Sequence, residues 1–493
     1  MNELLDLFHL VKSRVPLVII ETRDEKEAVL LIVSLADSIK KPIYGWNLVK
    51  GFSLLDRQGN IEGANHLQPT EVLTTIQEQY KSALFVLMDF HPYLQDNRNV
   101  RLLKEIALNS ERMSYTIFFI STQIELPDEI KHFSAKFELA FPTEEKIKSY
   151  LSQLIEKWIL ENPKKNVQVD ESVMNVFVKN LHGLTFPEIK RITYNALRDH
   201  ALTKDDIPEI NKAKYLLLNK DNVLYYEHDT SSFADVGGLQ NLKEWLEKRK
   251  KLFIGDIKNT GLDIPKGVLL LGVQGSGKSL AAKAIAGTWG IPLLRLDFGT
   301  LYNKYYGETE RKIREALKMA DMMAPCVLWI DEIEKGLASS DAGDSGTSKR
   351  VLGTFLTWMA ERKTLVFLVA TANDIQNLPP ELMRKGRMDE IFFVDLPDEE
   401  VRKEILMIHL KKRELNPDNF DLGAIAKACE GFSGSEIEQV IVSGFYSVAG
   451  GYMHLTTEIL LDEIKKTRPL SVVMSENIEA MREWARSRTV PAN

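Results

Sequence analysis

The sequence predicts an α/β chain: an open parallel sheet between helices in its second half, a helical segment behind that sheet, and a similar α/β domain in front. Three observations predict this. The buried-strand pattern Val268-Leu269-Leu270-Leu271 runs into a glycine-rich loop and then into the helical pattern Leu280-Ala281-Ala282-Lys283-Ala284-Ile285. A second apolar run, Cys326-Val327-Leu328-Trp329-Ile330, ends in Asp331 and Glu332, and acids at the carboxyl end of a buried strand suit the ligand side of an open parallel sheet. The first two hundred residues also echo the second half, at offsets between 248 and 255, and a duplicated unit fixes the architecture of both copies.

The loop after the first of these strands reads Gly272-Val273-Gln274-Gly275-Ser276-Gly277-Lys278-Ser279. It matches G-x-x-x-x-G-K-[ST], the phosphate-gripping P-loop, in the strand–loop–helix context that a true P-loop requires. Its glycines let backbone N–H groups curl around phosphates, and the helix N-terminus adds the positive end of its dipole. Lys278 can then reach the β- and γ-phosphates, and Ser279 can hold Mg²⁺. Asp331 would support the Mg²⁺ shell, and Glu332 is placed to orient and deprotonate an attacking water. Alone, the two acids could be a solvated strand end; 53 residues after the Lys278-Ser279 pair, they read as its partners.

Ile291-Pro292-Leu293-Leu294-Arg295-Leu296-Asp297 is a short further strand, and Leu365-Val366-Phe367-Leu368-Val369-Ala370-Thr371 another. The latter delivers Asn373, whose amide can hold the water or a γ-phosphate. Arg384 and Arg387 follow in Leu382-Met383-Arg384-Lys385-Gly386-Arg387-Met388-Asp389. Each alone could be a surface cation. In this position they read as arginine fingers inserted from a neighbouring subunit, a device worth ~10³–10⁵ in rate.

Composition bounds the rest. The 493 residues allow about three domains at ~150 residues each. An apolar fraction of 44% and a charged fraction of 27% are those of an ordinary globular protein. The net charge of −7 argues against a general nucleic-acid binder. Cys326 and Cys429 lie far apart and read as small core residues rather than a disulfide or metal pair. No apolar run approaches the ~20 residues that cross a bilayer, and Met1-Asn2-Glu3-Leu4-Leu5-Asp6 carries acid where a signal peptide carries positive charge. No HExxH zinc pair occurs. A reduced cytosol or an equivalent compartment is expected.

With these residues in place, the chain resembles the AAA ATPase superfamily, in the branch with the membrane-protease and p97-type unfoldases, densely over residues 229 to 450. The resemblance implies a P-loop NTPase module with a parallel five-stranded sheet between helices, a helical lid, ATP and Mg²⁺ as cofactors, and a ring, expected to be a homohexamer with arginine fingers in trans. In Phe233-Ala234-Asp235-Val236-Gly237-Gly238-Leu239, the backbone of Asp235, Val236 and Gly237 would cup adenine. Ile408-His409 resembles the lid histidine beside the nucleoside, and Gly431-Phe432-Ser433-Gly434-Ser435-Glu436-Ile437 the GFSG lid signature, with Gly434 and Ser435 close to the base. With Gly272, Gly275, Ser276, Gly277, Lys278, Ser279 and Leu280, these form the implied nucleotide site.

Lys304-Tyr305-Tyr306-Gly307-Glu308-Thr309-Glu310 occupies the family's pore-loop position. Tyr305 and Tyr306 there would grip an extended polypeptide, since aromatic rings offer large contact area at little entropic cost; packing of the pair onto the core is the other reading. Ser339 to Gly346 has loop composition and sits at a second pore-loop position. Arg350 could face a neighbouring subunit or solvent.

The N-terminal echo carries different chemistry. Phe137 to Glu145 parallels Phe392 to Glu400, Leu126-Pro127-Asp128-Glu129-Ile130 parallels Leu378-Pro379-Pro380-Glu381-Leu382, and Gly183-Leu184-Thr185 with Glu188 parallels Gly431-Phe432-Ser433 with Glu436. Opposite the P-loop stands Glu21-Thr22-Arg23-Asp24-Glu25-Lys26-Glu27, without glycine and with four acids; opposite the paired acids stands Met88-Asp89-Phe90. No Asn follows Ser121-Thr122-Gln123, and no arginine pair follows Ile130. The predicted organisation is a degenerate ATPase-like domain at 1–142, a helical lid-like segment at 143–220, a linker at 221–232, an AAA large subdomain at 233–397, and a helical lid with a C-terminal helix at 398–493. This tandem resembles a family known as a hypothetical plastid reading frame, found in cyanobacteria, algal plastids and other bacteria, which pairs a degenerate N-terminal half with one active AAA module.

Three functions follow as expectations. The first is ATP hydrolysis in a ring that remodels or translocates an unidentified protein substrate. The second is an ATP-driven switch or adaptor without threading. The third, an ATPase acting on nucleic acid, is disfavoured by the acidic balance.

Overall fold

The computed structural model describes residues 3–61, 67–110, 112–162, 168–169, 171–197, 201–203, 206–219, 223–255, 261, 263–298, 308–337, 345–375, 377–384, 386–448 and 454–493. They fall into two compact units. The first comprises Met1–Lys157 with Gly183–Thr193, and the second Trp158–His182 with Tyr194–Asn493.

The sheet of the first unit contains β1 (Leu17–Glu21), β2 (Ile43–Asn47), β3 (Gly51–Leu54), β4 (Ser82–Met88), β5 (Ser114–Ser121) and β6 (Ser134–Phe137) in the order β3-β2-β4-β5-β1-β6. All neighbours are parallel except the edge strand β3, which runs antiparallel to β2. Continuous apolar runs such as Ala83-Leu84-Phe85-Val86-Leu87 are buried, as expected of parallel strands covered on both faces. Side chains alternate across the pleat. Leu17, Ile19, Phe85, Leu87, Ile117 and Phe119 join one core, and Val18, Ile20, Leu84, Val86, Phe118 and Ile120 the other.

The second unit holds β7 (Gln168–Val169) paired in parallel with β8 (Ala201–Leu202), and a larger sheet. That sheet contains β9 (Leu224–Glu227), β10 (Gly267–Gly272), β11 (Leu293–Leu296), β12 (Cys326–Ile330), β13 (Val366–Ala372), β14 (Glu390–Val394) and β15 (Val490–Pro491), in the order β15-β14-β10-β13-β12-β11-β9. Its five central parallel strands follow the predicted pattern, but the sheet is wider than the five strands expected. β9 adds antiparallel to β11, and β15 adds parallel to β14. Both additions are four residues or shorter, too brief for periodicity to reveal.

The two sheets have one topology: β6, β1, β5, β4 and β2 stand in the same order as β14, β10, β13, β12 and β11, and each bears an antiparallel edge strand beyond the last. Register refines the echo. Ile20 pairs with Phe137 and Leu269 pairs with Ile391, each next to the equivalent central strand. With Asp89 set opposite Asp331, the preceding Met88 and Ile330 pair with Ile120 and Ala370, which in turn pair with Ile20 and Leu269; on that anchor Phe137 stands opposite Ile391, one residue from the position the sequence match suggested.

Behind β14, the helices Glu399–Lys411, Leu422–Ala428, Gly434–Val448 and Thr457–Lys466 enclose a separate apolar core that includes Leu406, Leu410, Ile425, Cys429, Phe432, Ile437, Val440 and Leu460. This is the helical lid. The helix Ser475–Arg486 follows, and the chain then enters β15. Cys326 and Cys429 are both free and buried, and burial pushes both thiols up to about 12; they are core residues, as the sequence suggested.

Candidate active site

The site is built at the carboxyl ends of β10, β12 and β13. The whole of β10 is buried, so it delivers Val273–Gly277 at a fixed place at the foot of the helix Lys278–Trp289. Two glycines are required by geometry. Gly277 caps the helix in the left-handed region at φ +96°, with open space where a side chain would lie. Gly275, at φ +76°, would drive a Cβ to 2.2 Å from Ser435 Oγ. Ser276 Oγ is buried without a partner among the described residues, and the helix has no side-chain cap. A bare helix N-terminus beside an orphaned hydroxyl and open space fits a phosphate chain.

Lys278 is buried and donates from Nζ to the carbonyls of Gly272 (2.9 Å) and Val273 (2.7 Å). Burial pulls its pKa down to about 8, although Glu334, Asp331 and Glu332 oppose the shift. Ser279 Oγ donates to Asp331 Oδ1 at 3.1 Å, which joins the two predicted Mg²⁺ ligands. Glu332 takes a left-handed φ of +48°, and its two oxygens are held separately. Asn373 Nδ2 donates to Oε1 at 2.8 Å, and Lys335 Nζ lies 2.5 Å from Oε2. The structure thus brings Lys278, Ser279, Asp331, Glu332 and Asn373 into one cluster.

Three residues of this cluster escaped sequence reasoning. Thr371 Oγ1 donates to Asp331 Oδ1 at 2.6 Å while accepting from the Glu332 N–H at 3.0 Å, so one hydroxyl orients both acids. Glu334 is buried and accepts from the Asn373 N–H at 2.9 Å through Oε1, while its Oε2 has no partner among the described residues. Burial raises the pKa of its carboxyl. Lys335 is the third. A third acid in Asp331-Glu332-Ile333-Glu334 was visible, but nothing in the spacing says that it turns inward to the Asn373 backbone.

The lid closes on the loop from the other side. Ser435 N–H donates to Gly275 O at 3.1 Å, and a Cβ on Gly434 would lie 3.4 Å from the same oxygen. Ser433 forms a capping box with Glu436, whose Oε2 accepts from Ser433 N–H and Oγ, both at 2.8 Å. His409 lies on the helix Glu399–Lys411 with Nδ1 3.4 Å from Glu438 Oε1. Burial lowers its pKa. Asp235 ends a short 3-10 turn, Phe233–Asp235, where its carboxylate accepts from Ser232 N–H and Oγ and is held below the usual range by those bonds. Val236 is buried, and a Cβ on Gly237 would meet Ile405 at 2.9 Å. Leu280 packs against the core under β10.

The arginines stand apart. Arg384 is exposed and Arg387 half-buried on the stretch before β14, and Arg387 Nη1 donates to Glu381 O at 2.7 Å. Among the described residues no hydrogen bond or ion pair joins either to Lys278, Asp331 or Glu332. Tyr305 and Tyr306, and 338–344 of the second loop, lie outside the described residues; Arg350 is exposed. No cluster of three or more metal-ligating side chains occurs among the described residues, and no helix among them is long and apolar enough to cross a membrane.

Comparison with known proteins shows the family. The profile of the ATPase family associated with various cellular activities (AAA) matches residues 268–396. The N-terminal domain of SpoVK-like AAA ATPases matches residues 3–139, and their second domain matches 145–221. The AAA domain-containing protein ycf46 of Pyropia yezoensis is 36% identical over 489 residues, covering 98% of both chains. Its namesake in Trieres chinensis is 34% identical over 488 residues, 98% of this chain and 96% of that one. A proteasome-activating nucleotidase of Aeropyrum pernix is 38% identical over 250 residues, 48% of this chain and 60% of that one. The match of the AAA profile and the near full-length similarity place the chain: it is an ATP-hydrolysing member of the AAA ATPase family, in the group of ycf46 proteins.

Proposed function

We propose that the protein hydrolyses ATP with Mg²⁺ in a closed ring, expected to be a homohexamer, and uses the cycle to remodel or translocate a protein substrate. The contact that carries the hydrolytic part is Asn373 Nδ2 to Glu332 Oε1, 2.8 Å, beside Ser279 and Asp331. Loop N–H groups and Lys278 hold the phosphates, and Lys278 leaves the Gly272 and Val273 carbonyls to do so. Ser279 and Asp331 hold Mg²⁺, which when bound offsets charge on the phosphoryl oxygens. Glu332 takes the proton of the attacking water, and Asn373 fixes the carboxylate that accepts it. Asp235, Val236 and Gly237 with His409, Gly434 and Ser435 enclose the nucleoside.

The exposed Arg384 and the half-buried Arg387 suit fingers supplied to a neighbouring copy. Similarity to a nucleotidase named for activating proteasomes supports a polypeptide as the partner. Tyr305 and Tyr306 are the residues proposed to grip it, and cytosol or stroma is the proposed setting. Tyr305→Ala is expected to spare basal ATPase while removing stimulation by an unfolded polypeptide. Equal loss of both rates would mean that the tyrosine packs rather than grips. No polypeptide stimulation of the unaltered protein would favour the switch reading.

A further inference from the structure

The turn Val236-Gly237-Gly238-Leu239 is held by long-range contacts that the reading of nucleotide binding does not use. Lys243 Nζ donates to Val236 O at 2.7 Å. Glu404, on the lid helix Glu399–Lys411, accepts from Gly238 N–H at 2.8 Å. Leu239 N–H donates to the side chain of Asn493. Gly238 sits at φ +68°, where a Cβ would lie 2.8 Å from both Asn493 Oδ1 and Val401 Cγ1, so the tail and the lid press on the same residue.

The tail that brings Asn493 there is itself fixed. Val490 and Pro491 pair with Phe392 and Phe393 of β14. Ala492 is buried in the core beneath the P-loop strand, donates to Phe393 O at 2.9 Å and accepts from Leu242 N–H at 3.2 Å. Asn241 Nδ2 donates to Pro491 O (3.1 Å) and Asn493 O (2.6 Å). One helix earlier, Arg482 grips Asp395, just past β14, with both Nε and Nη2 at 2.9–3.0 Å. The chain therefore leaves the sheet at Asp395, builds the lid, and returns to the same edge, where Asn493 reaches the turn.

We propose that Val490–Asn493 is a positioning strap for the nucleobase side of the site, and that Asn493 sets how well the site distinguishes an adenine nucleotide from a bare triphosphate. The inference rests on the proposed role of the Asp235–Gly237 backbone as the adenine wall. Among the described residues Asn493 bonds Leu239 and Asn241 and none of the P-loop residues; its side chain orients the Leu239 N–H and, through it, a turn whose backbone must match the edge of a flat ring. Losing that acceptor removes the hold on the Leu239 N–H while the bonds from Lys243 and to Glu404 remain.

The test is equilibrium binding of ATP, ADP and tripolyphosphate, each with Mg²⁺, to the full chain and to Asn493→Ala and Asn493→Asp. Unaltered protein should bind ATP more tightly than tripolyphosphate. Asn493→Ala should weaken ATP and ADP about fivefold to tenfold, the worth of one hydrogen bond, and leave tripolyphosphate unchanged. Asn493→Asp keeps the acceptor and should restore most of the loss. Unchanged ATP affinity in Asn493→Ala, or equal weakening of ATP and tripolyphosphate, would overturn the strap. If unaltered protein binds ATP and tripolyphosphate equally, the adenine wall itself is wrong and the strap falls with it.

Discussion

Between β10 and its helix lie five residues, ending in a left-handed glycine with open space, among the described residues, where a Cβ would lie; between β1 and the helix Glu25–Ile39 lie three, ending in an aspartate. Asp24 accepts from the Glu27 N–H at 3.2 Å, and Glu25 and Glu27 fill the first turn. The helix N-terminus that carries no side-chain cap in the second unit is thus occupied by the chain's own carboxylates in the first. Glu21 is taken by an ion pair with Lys136, and Arg23 pairs with Glu188 at 2.9 Å. Glu188 belongs to a capping box with Thr185 that duplicates the Ser433–Glu436 box of the lid, each with two 2.8 Å bonds and a preceding left-handed glycine, Gly183 or Gly431. Where the second unit leaves donors for a ligand, the first joins sheet to lid-like helix through Arg23 and Glu188.

The acids follow the same division. Ser121 Oγ donates to Asp89 Oδ1 at 2.8 Å, as Thr371 donates to Asp331. The scaffold of the second strand end is retained, but the next residue is Phe90, 1% exposed and part of the core, instead of Glu332. A duplicated fold can lose its chemistry at a few loop positions while keeping the hydrogen bonds that hold the strands' ends in register.

The largest separation between the two units should come from Glu332, proposed to activate the water. Glu332→Gln is expected to lower ATP turnover at least ~10²-fold, in the range of a lost general base, with ATP still bound, whereas Asp89→Asn should leave turnover unchanged. Steady-state ATPase with parallel binding measurements checks both, and a wild-type rate in Glu332→Gln would remove Glu332 from the chemistry. Next comes the phosphate position. Lys278→Ala should weaken ATP binding and turnover severely. Arg23→Ala should affect neither but destabilise the chain by about 1 kcal/mol, the scale of a partly exposed ion pair, read by denaturant unfolding. The smallest contrast lies in the twin capping boxes. Thr185→Ala and Ser433→Ala should each cost about 1 kcal/mol of stability, but only Ser433→Ala should also weaken ATP binding, because Ser433 Oγ is 3.2 Å from Ser435 Oγ beside Gly275. Equal nucleotide effects from both would erase the distinction.

Local chemistry made much of this legible in sequence. The P-loop, Asp331, Glu332 and Asn373 announce themselves because strand, loop and helix carry their signals within a few residues of one another. The echo was legible because buried parallel strands repeat as apolar runs. Contacts that depend on distant chain were not. Glu334 turning to Asn373, Thr371 under Asp331, and Asn493 on Leu239, 254 residues away, join elements whose sequence gives no hint of each other. Nor could spacing foresee that Gly183–Thr193 groups with the first sheet while the helix residues before it group with the second, since helical periodicity identifies an apolar face but not its partner.

The central claim, one working nucleotide site and one filled in by its own side chains, is tested most directly by counting nucleotide. Calorimetric titration of the Glu332→Gln chain with Mg-ATP should saturate at no more than one nucleotide per chain, and Lys278→Ala added to it should abolish that binding. Saturation at two per chain, or binding that survives Lys278→Ala and disappears with Arg23→Ala, would contradict the account.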